Sequence, residues 1–464
     1  MNLPTPPWRL IDVLERAETG PMCFEKDFDT KILVSNIQRV VKEYNIKYDP
    51  ETLISSDDSK ADDLWKAAWD LYLSVGTYCT SSYRRLLFNE TEIKEALDSY
   101  VDTVELGCGK DARKWSARKV EDSKRPGCLF TPVGVRCAED VFAALAMCYM
   151  QEPLADGVST PILEEIEGRP IGTGPPSEIQ GATVHAMRVR EAARRVGRPG
   201  LAIVGTGTAL TDTAQIATSD PSWGARYTDI RLVPIVSELK INNDLLNKML
   251  HFHQGGYLAA TLSGPLSRGY VGVEGTAVIG VASHIQGLMV NQGYFTCYFP
   301  TDIRNFGNTT REMLWLVSSC YQALARNTRL VSGSNGFAIA GPCTEMVMYE
   351  AAAHGITSAV SGASVLWEMS TASNKHKERT TPMEARMACE SGIAATQMRM
   401  KRETANELVK DILKKYEDLI PKAPLGKTFR ECYDVARKKP TQEYLDLYNK
   451  IKKELGDLGL KYSY

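Results

Sequence analysis

From Cys128 to His354 the chain repeats one pattern: a short apolar, β-branched run, a turn, then a helical stretch, with no long polar linker between repeats. The clearest unit is Gly197-Arg-Pro-Gly-Leu-Ala-Ile-Val-Gly-Thr-Gly207. A helix stops at Gly197, Arg198-Pro199 forces extended backbone, Leu201–Val204 makes a buried strand, and Gly205 breaks it. Further strands are expected at Cys128–Pro132, Val158, Ile230–Val236, Gly256–Leu262, Tyr294–Phe299 and Leu330–Ser332. Helices are expected at Ala138–Met150, Ser177–Gly197, Ile241–Leu250, Thr276–Met289, Thr310–Arg326 and Cys343–His354, with Ser177 and Gln180 forming a capping box. Roughly eight such repeats in about 250 residues predict a parallel (β/α)8 barrel of the α/β class. In that architecture the chemistry lies past the strands' C-terminal ends, which puts Val204 at the lip of any site.

The flanks read differently. Residues 1–125 form an N-terminal helical extension, in which Trp8, Leu10, Ile11 and Leu14 share a face and Asp57 and Asp58 cap a helix bearing Leu64, Ala68 and Leu71. The barrel is assigned to 126–400, and the lysine-rich 401–464 to a C-terminal helical segment packed on it. With 24% charged residues and a formal net charge of -2, the 464-residue chain carries no field that would draw it to nucleic acid or an anionic membrane. No apolar run is seen that approaches the ~18 residues of a membrane span, nor a basic leader, and the eleven cysteines are scattered from Cys23 to Cys432 without a CxxC pair. A cytoplasmic chain with reduced thiols and no metal centre is expected.

Several motifs invite chemistry, each with a plain alternative. Gly205-Thr-Gly-Thr-Ala-Leu210 lacks the third glycine of a dinucleotide loop and reads as a tight turn. His251 and His253 could pair on a strand as metal ligands, or be helix-end histidines. Lys110–Arg125 is a basic run around Trp115, either a solvated face or a docking surface for an anionic partner. Asp302, past an aromatic strand and beside Arg304, could serve as acid, base or cation-binding group, or could order its own loop through that arginine.

Other segments carry a resemblance. Tyr78-Cys-Thr80, Glu139-Asp-Val-Phe142, Ser237-Glu-Leu-Lys-Ile241, Ala340-Gly-Pro-Cys-Thr-Glu-Met346, Met383-Glu-Ala-Arg-Met387, Gly426–Val435 and Gly456-Asp-Leu-Gly-Leu460 resemble, in the same order, the monomethylamine methyltransferase family of methanogenic archaea. The resemblance implies a barrel that assembles as a homohexamer and passes a methyl group from an amine to the Co(I) of a separate corrinoid protein. It implies no tightly held cofactor, since the corrinoid (cobalamin) comes with the partner. The family's pyrrolysine, thought to capture the amine, aligns with Val204. Its neighbouring carboxylates align with Leu232 and Leu262, and its glutamine and tyrosine with Asn335 and Phe337.

An isopropyl group forms no adduct with an amine, and a neutral amine is expelled from carbon only as an amide-like leaving group. The substrate implied is therefore one whose leaving group is already good: a small quaternary ammonium or sulfonium compound. Its cation would sit against Phe337 with Tyr257, Phe299 or Tyr270. Asp302 could balance the charge, or Arg304 hold a substrate carboxylate. The same losses fit a barrel enzyme of another reaction class, or a non-catalytic paralogue acting in binding or assembly.

Overall fold

The computed structural model describes residues 10–132 and 134–462; Trp8, expected on the first amphipathic face, lies outside them. Eight strands form a closed barrel: β1 (Gly127–Phe130), β2 (Gly157–Ser159), β3 (Ala202–Val204), β4 (Ile230–Pro234), β5 (Leu258–Ser263), β6 (Phe295–Tyr298), β7 (Ser332–Phe337) and β8 (Val365–Ser370). Every pairing is parallel, neighbours in sequence are neighbours in the sheet, and β8 returns to β1. Each strand is followed by a helix: α1 (Glu139–Met150), α2 (Pro176–Arg195), α3 (Asp212–Ala217), α4 (Asn243–Gln254), α5 (Val273–Gln286), α6 (Arg311–Asn327), α7 (Glu345–Val360) and α8 (Pro382–Gln397).

The sequence reading places no element at α3, β8 or α8, and two others depart from it. β7 lies later than Leu330–Ser332, so Asn335 and Phe337 stand on a strand rather than beyond one. α2 begins on Pro176 with no side-chain cap, and Glu178 takes over: its carboxylate accepts from the amides of Gly174, Leu210 and Thr211, tying the helix start to the loop after β3.

The flanks are not purely helical. Thr77–Cys79 pairs with Arg84–Leu86 and, in parallel, with Lys240–Ile241 of the loop after β4, while the Asp58–Val75 helix packs on α5 and α6. Its N-cap is Asp57, whose carboxylate accepts from the Ser59 amide. A hairpin of Thr103–Leu106 and Arg113–Ser116 carries Trp115, which is buried edge-on against Phe295 at the start of β6, over Gly127 at the start of β1. Trp115 therefore closes the barrel's N-terminal end. The arginines of the basic run around it are structural, Arg118 buried on the carbonyls of Ala359 and Ala363 and Arg113 and Arg125 paired with Asp156, while its lysines are exposed. At the other flank, helices Arg402–Leu413 and Gln442–Asp457 pack on α7, joined by a small hairpin, Tyr433–Asp434 with Lys439–Pro440.

The helical stretch Val273–Asn291 is long and apolar enough to cross a membrane by length and composition, which corrects the sequence reading; 94% of its most apolar window is buried inside the protein, where α5 lies between barrel and extension. All eleven cysteines are free thiols.

Candidate active site

In a parallel strand alternate side chains face the helices and the barrel interior, and residues opposite in register share a face. The helix-facing set is marked by its contacts. Ser263 hydrogen-bonds Ser283 of α5 at 2.6 Å, Ser334 takes the Ser358 hydroxyl of α7 at 2.8 Å, and Glu368 meets His354 of α7 at 2.7 Å. Their neighbours Leu262, Asn335 and Trp367 consequently face inward. Leu262 stands opposite Cys297, Cys297 opposite Gly333, Asn335 opposite Trp367, Leu232 opposite Ala260, and Val204 opposite Ile230.

Val204, Leu232, Leu262 and Asn335 thus all turn into one lumen at the C-terminal half of the barrel, and Phe337 ends β7 beside them, past a break in register that sets it opposite Ser370. Val204 and Asn335 are each 3% exposed; Leu232, Leu262 and Phe337 are partly exposed, as residues at a mouth should be. Leu232 reaches to 3.7 Å from the position a Cβ would take on Gly205. Phe337 packs against Phe299, ring centroids 5.6 Å apart. The lumen is divided by chemistry. β3, β4 and β5 contribute the aliphatic Val204, Leu232 and Leu262, whereas the opposite arc carries Asn335, the Trp367 indole and a Thr131–Ser159 hydroxyl pair. Of the inward-facing strand residues only Cys297 is ionisable, and burial pushes its thiol well above the ordinary value.

Two aromatic candidates stand elsewhere. Tyr257 precedes β5, at the barrel's opposite end, with its ring against Tyr227 and its hydroxyl on the Ser219 carbonyl. Tyr270 is 43% exposed, in the loop between β5 and α5.

Asp302 and Arg304 hold their own loop. Asp302 is fully buried and accepts from the Arg304 amide at 2.9 Å and from its guanidinium at 2.5–3.1 Å, while its carbonyl takes the Phe306 amide. Arg304 also pairs with Glu312 and borders an outer cleft of about 560 Å³ beside Tyr48, Arg311 and Glu417. With its hydrogen-bonding capacity engaged in the loop, Asp302 belongs to loop order, and Arg304 stands with the α6 start rather than with the inward set.

The remaining motifs resolve in the same way. Gly205 has φ +56° and a Cβ on Gly207 would lie 2.7 Å from the Thr160 carbonyl oxygen, so these glycines let the β3 and β2 loops touch rather than cradle phosphate. His251 and His253 sit on α4, not on a strand; two residues apart on a helix they point in different directions, and burial lowers His253 to about 4. Among the described residues, no group of three or more His, Cys, Asp or Glu is placed to hold a metal ion. Sequence reading missed Trp367, Cys297 and the Thr131–Ser159 pair. Period-two alternation through Phe295-Thr-Cys-Tyr298 was the signal for Cys297; β8 itself was not separated from the apolar run before it.

Comparison with known proteins agrees with this architecture from end to end. The family model described as Monomethylamine methyltransferase MtmB matches residues 9–460. Monomethylamine methyltransferase MtmB1 of Methanosarcina acetivorans is 31% identical over 450 residues, covering 97% of each chain, and MtmB of Methanosarcina mazei is 30% identical over the same span. Among solved structures, the Methanosarcina barkeri monomethylamine methyltransferase superposes with a TM-score of 0.93 and the hydroxylamine MtmB complex with 0.94, each at 30% identity and 98% coverage of both chains.

Proposed function

Because the chain belongs to the monomethylamine methyltransferase MtmB family, we propose that it moves a methyl group from a small quaternary ammonium or sulfonium compound to the Co(I) of a separate corrinoid protein, without pyrrolysine. The observation that carries this reading is the inward set itself. Val204, Leu232 and Leu262 converge with Phe337 and Asn335 in a lumen whose strands present no carboxylate, no base and no electrophile able to capture an amine.

Such a lumen cannot activate a poor leaving group. It can desolvate and orient a good one. In the transfer the methyl carbon bonds to cobalt, the carbon–nitrogen or carbon–sulfur bond breaks, and its electron pair stays on the heteroatom, which departs as a neutral amine or thioether. No proton is needed. The work left to this chain is positional: the aliphatic arc excludes water, the Phe299–Phe337 pair presents ring faces to the onium centre, and the open mouth admits the corrinoid partner. As in the family resemblance, the corrinoid is a co-substrate held by that partner, and the chain acts in the cytoplasm as a homohexamer; sedimentation at six chain masses is the expected behaviour.

The test is an anaerobic assay with Co(I) cobalamin or a Co(I) corrinoid protein. Methyl-Co(III) should form with at least one quaternary ammonium or sulfonium compound and not with monomethylamine. Transfer from monomethylamine by this protein would overturn the proposal.

A further inference from the structure

Trp367 is fully buried and its indole N–H has no hydrogen-bond partner; Asn335, 3% exposed and opposite it in register, has a side-chain carbonyl oxygen without one. Both face the lumen. Buried polar groups are ordinarily satisfied, and two orphans side by side on the inner face of a closed barrel are waiting for something that enters it. Beside them the Thr131–Ser159 pair completes a hydrogen-bonding arc across from the aliphatic one.

The charge ledger of the same surface narrows what enters. A quaternary cation buried here finds no counter-carboxylate: no inward-facing strand residue is acidic, Asp302 is bonded to Arg304, and Glu368 points the other way, onto His354. A buried unpaired charge loses far more in solvation than one aromatic face recovers. A molecule carrying its own counter-charge avoids that cost.

Resting on the methyl-transfer reading above, we infer that the substrate is a net-neutral zwitterion of the betaine type. Its methylated onium centre lies against Phe337, Phe299 and the aliphatic arc, and a carboxylate oxygen accepts a hydrogen bond from Trp367 Nε1. Trp367 is then a specificity-determining residue. The neutral indole donor suits a carboxylate whose charge is already balanced within the molecule; an arginine there would favour free anions instead.

Equilibrium binding to the full chain tests this with matched probes: glycine betaine against isobutyltrimethylammonium, which replaces the carboxylate by an isopropyl group, and acetate alone. The ¹⁵N-indole resonance of Trp367, assigned from its loss in Trp367→Phe, is followed in each titration. Glycine betaine should bind at least tenfold more tightly than its oxygen-free isostere and move that resonance downfield, and Trp367→Phe, which keeps the ring and loses the donor, should erase about tenfold of the difference. Trp367→Phe should bind isobutyltrimethylammonium as the parent does, which guards against a folding defect in the variant. Equal binding of betaine and isostere would overturn the zwitterion and leave the onium reading standing. Acetate moving the indole resonance while neither onium compound binds would keep the acceptor site and overturn the onium reading. An indole resonance that none of the probes moves would overturn the inference outright.

Discussion

At the scale of single residues, the lumen separates roles that look alike in sequence. Phe337 ends a strand and Asp302 lies just past one, yet Phe337 packs on Phe299 whereas Asp302 is locked into its own loop. Phe337→Ala should weaken binding of an onium substrate by about two- to thirtyfold, the range of one lost cation–π face, with little effect on stability at a partly exposed site; titration of the variant with unchanged affinity would remove Phe337 from the pocket. Asp302→Ala should do the reverse. It deletes the acceptor for the Arg304 amide and guanidinium and should lower stability by about 1–2 kcal/mol, while kcat/KM at a temperature where the variant is folded stays as in the parent. A specific loss of kcat in a fully folded Asp302→Ala protein would return that carboxylate to catalysis. The proposed positions Asn335 and Phe337 were legible because Ser332-Gly333 before them and Ala340-Gly-Pro-Cys343 after them fix their place in the chain. What a linear reading could not supply was direction: whether Asp302 turns toward the lumen depends on Arg304 lying two residues on with room to fold back.

At the scale of elements, the barrel's period was readable and its edges were not. Strands rich in Ile, Val, Leu and aromatic residues, such as Ile230–Pro234 and Phe295–Tyr298, lie close to where the pattern places them. Ser332-Gly-Ser-Asn-Gly-Phe337 has the composition of a loop, yet it is β7. Packing overrides propensity there. Gly336 is small because the Glu368 carboxylate and the Met369 side chain occupy the space its Cβ would fill, and Gly333 faces Val365 across the sheet. β8 was hidden for the opposite reason: Ala351 to Ser370 is buried throughout, and a buried helix and a buried strand share one apolar signature. The same close fit governs α7 against α8. A Cβ on Gly355 would overlap the Ala388 carbonyl oxygen, and one on Gly392 would lie 2.7 Å from the Gly355 carbonyl oxygen, so the two helices cross backbone to backbone. Gly355→Ala, favourable by helix propensity, should therefore cost about 1–3 kcal/mol through forced separation of the pair, read as a lower denaturant midpoint. A variant as stable as the parent would show that the crossing can relax.

Across the whole molecule, the flanks are fastened to the barrel through buried carboxyl groups, which makes stability depend on pH in a particular direction. Glu238, in the loop after β4, accepts the Leu266 amide beside Lys240, whose ammonium pairs with Glu25 and Asp29 of the N-terminal extension. Glu384 of α8 caps that helix through Thr381 and takes the Tyr444 hydroxyl of the C-terminal helix. Glu350 of α7 takes the Thr309 hydroxyl and the amides of Ile339 and Ala340. Burial raises each of the three to about 7. The folded chain then holds protons that the unfolded chain has released, so their contribution falls as pH rises from about 4.5 through 7. Three buried histidines act oppositely: desolvation lowers His185 to about 3 and His253 and His284 to about 4, so what they contribute is complete above about 6.5 and is lost as pH falls toward 4. The two sets oppose each other in acid, and above 6.5 only the glutamates still titrate. Stability should accordingly decline between pH 6.5 and 7.5, by an amount of order 1–2 kcal/mol, and Glu384→Gln should flatten the decline. Urea midpoints that rise across that interval would mean that these carboxyls ionise without penalty, and that the contacts joining the terminal segments to the barrel are not the desolvated ones described here.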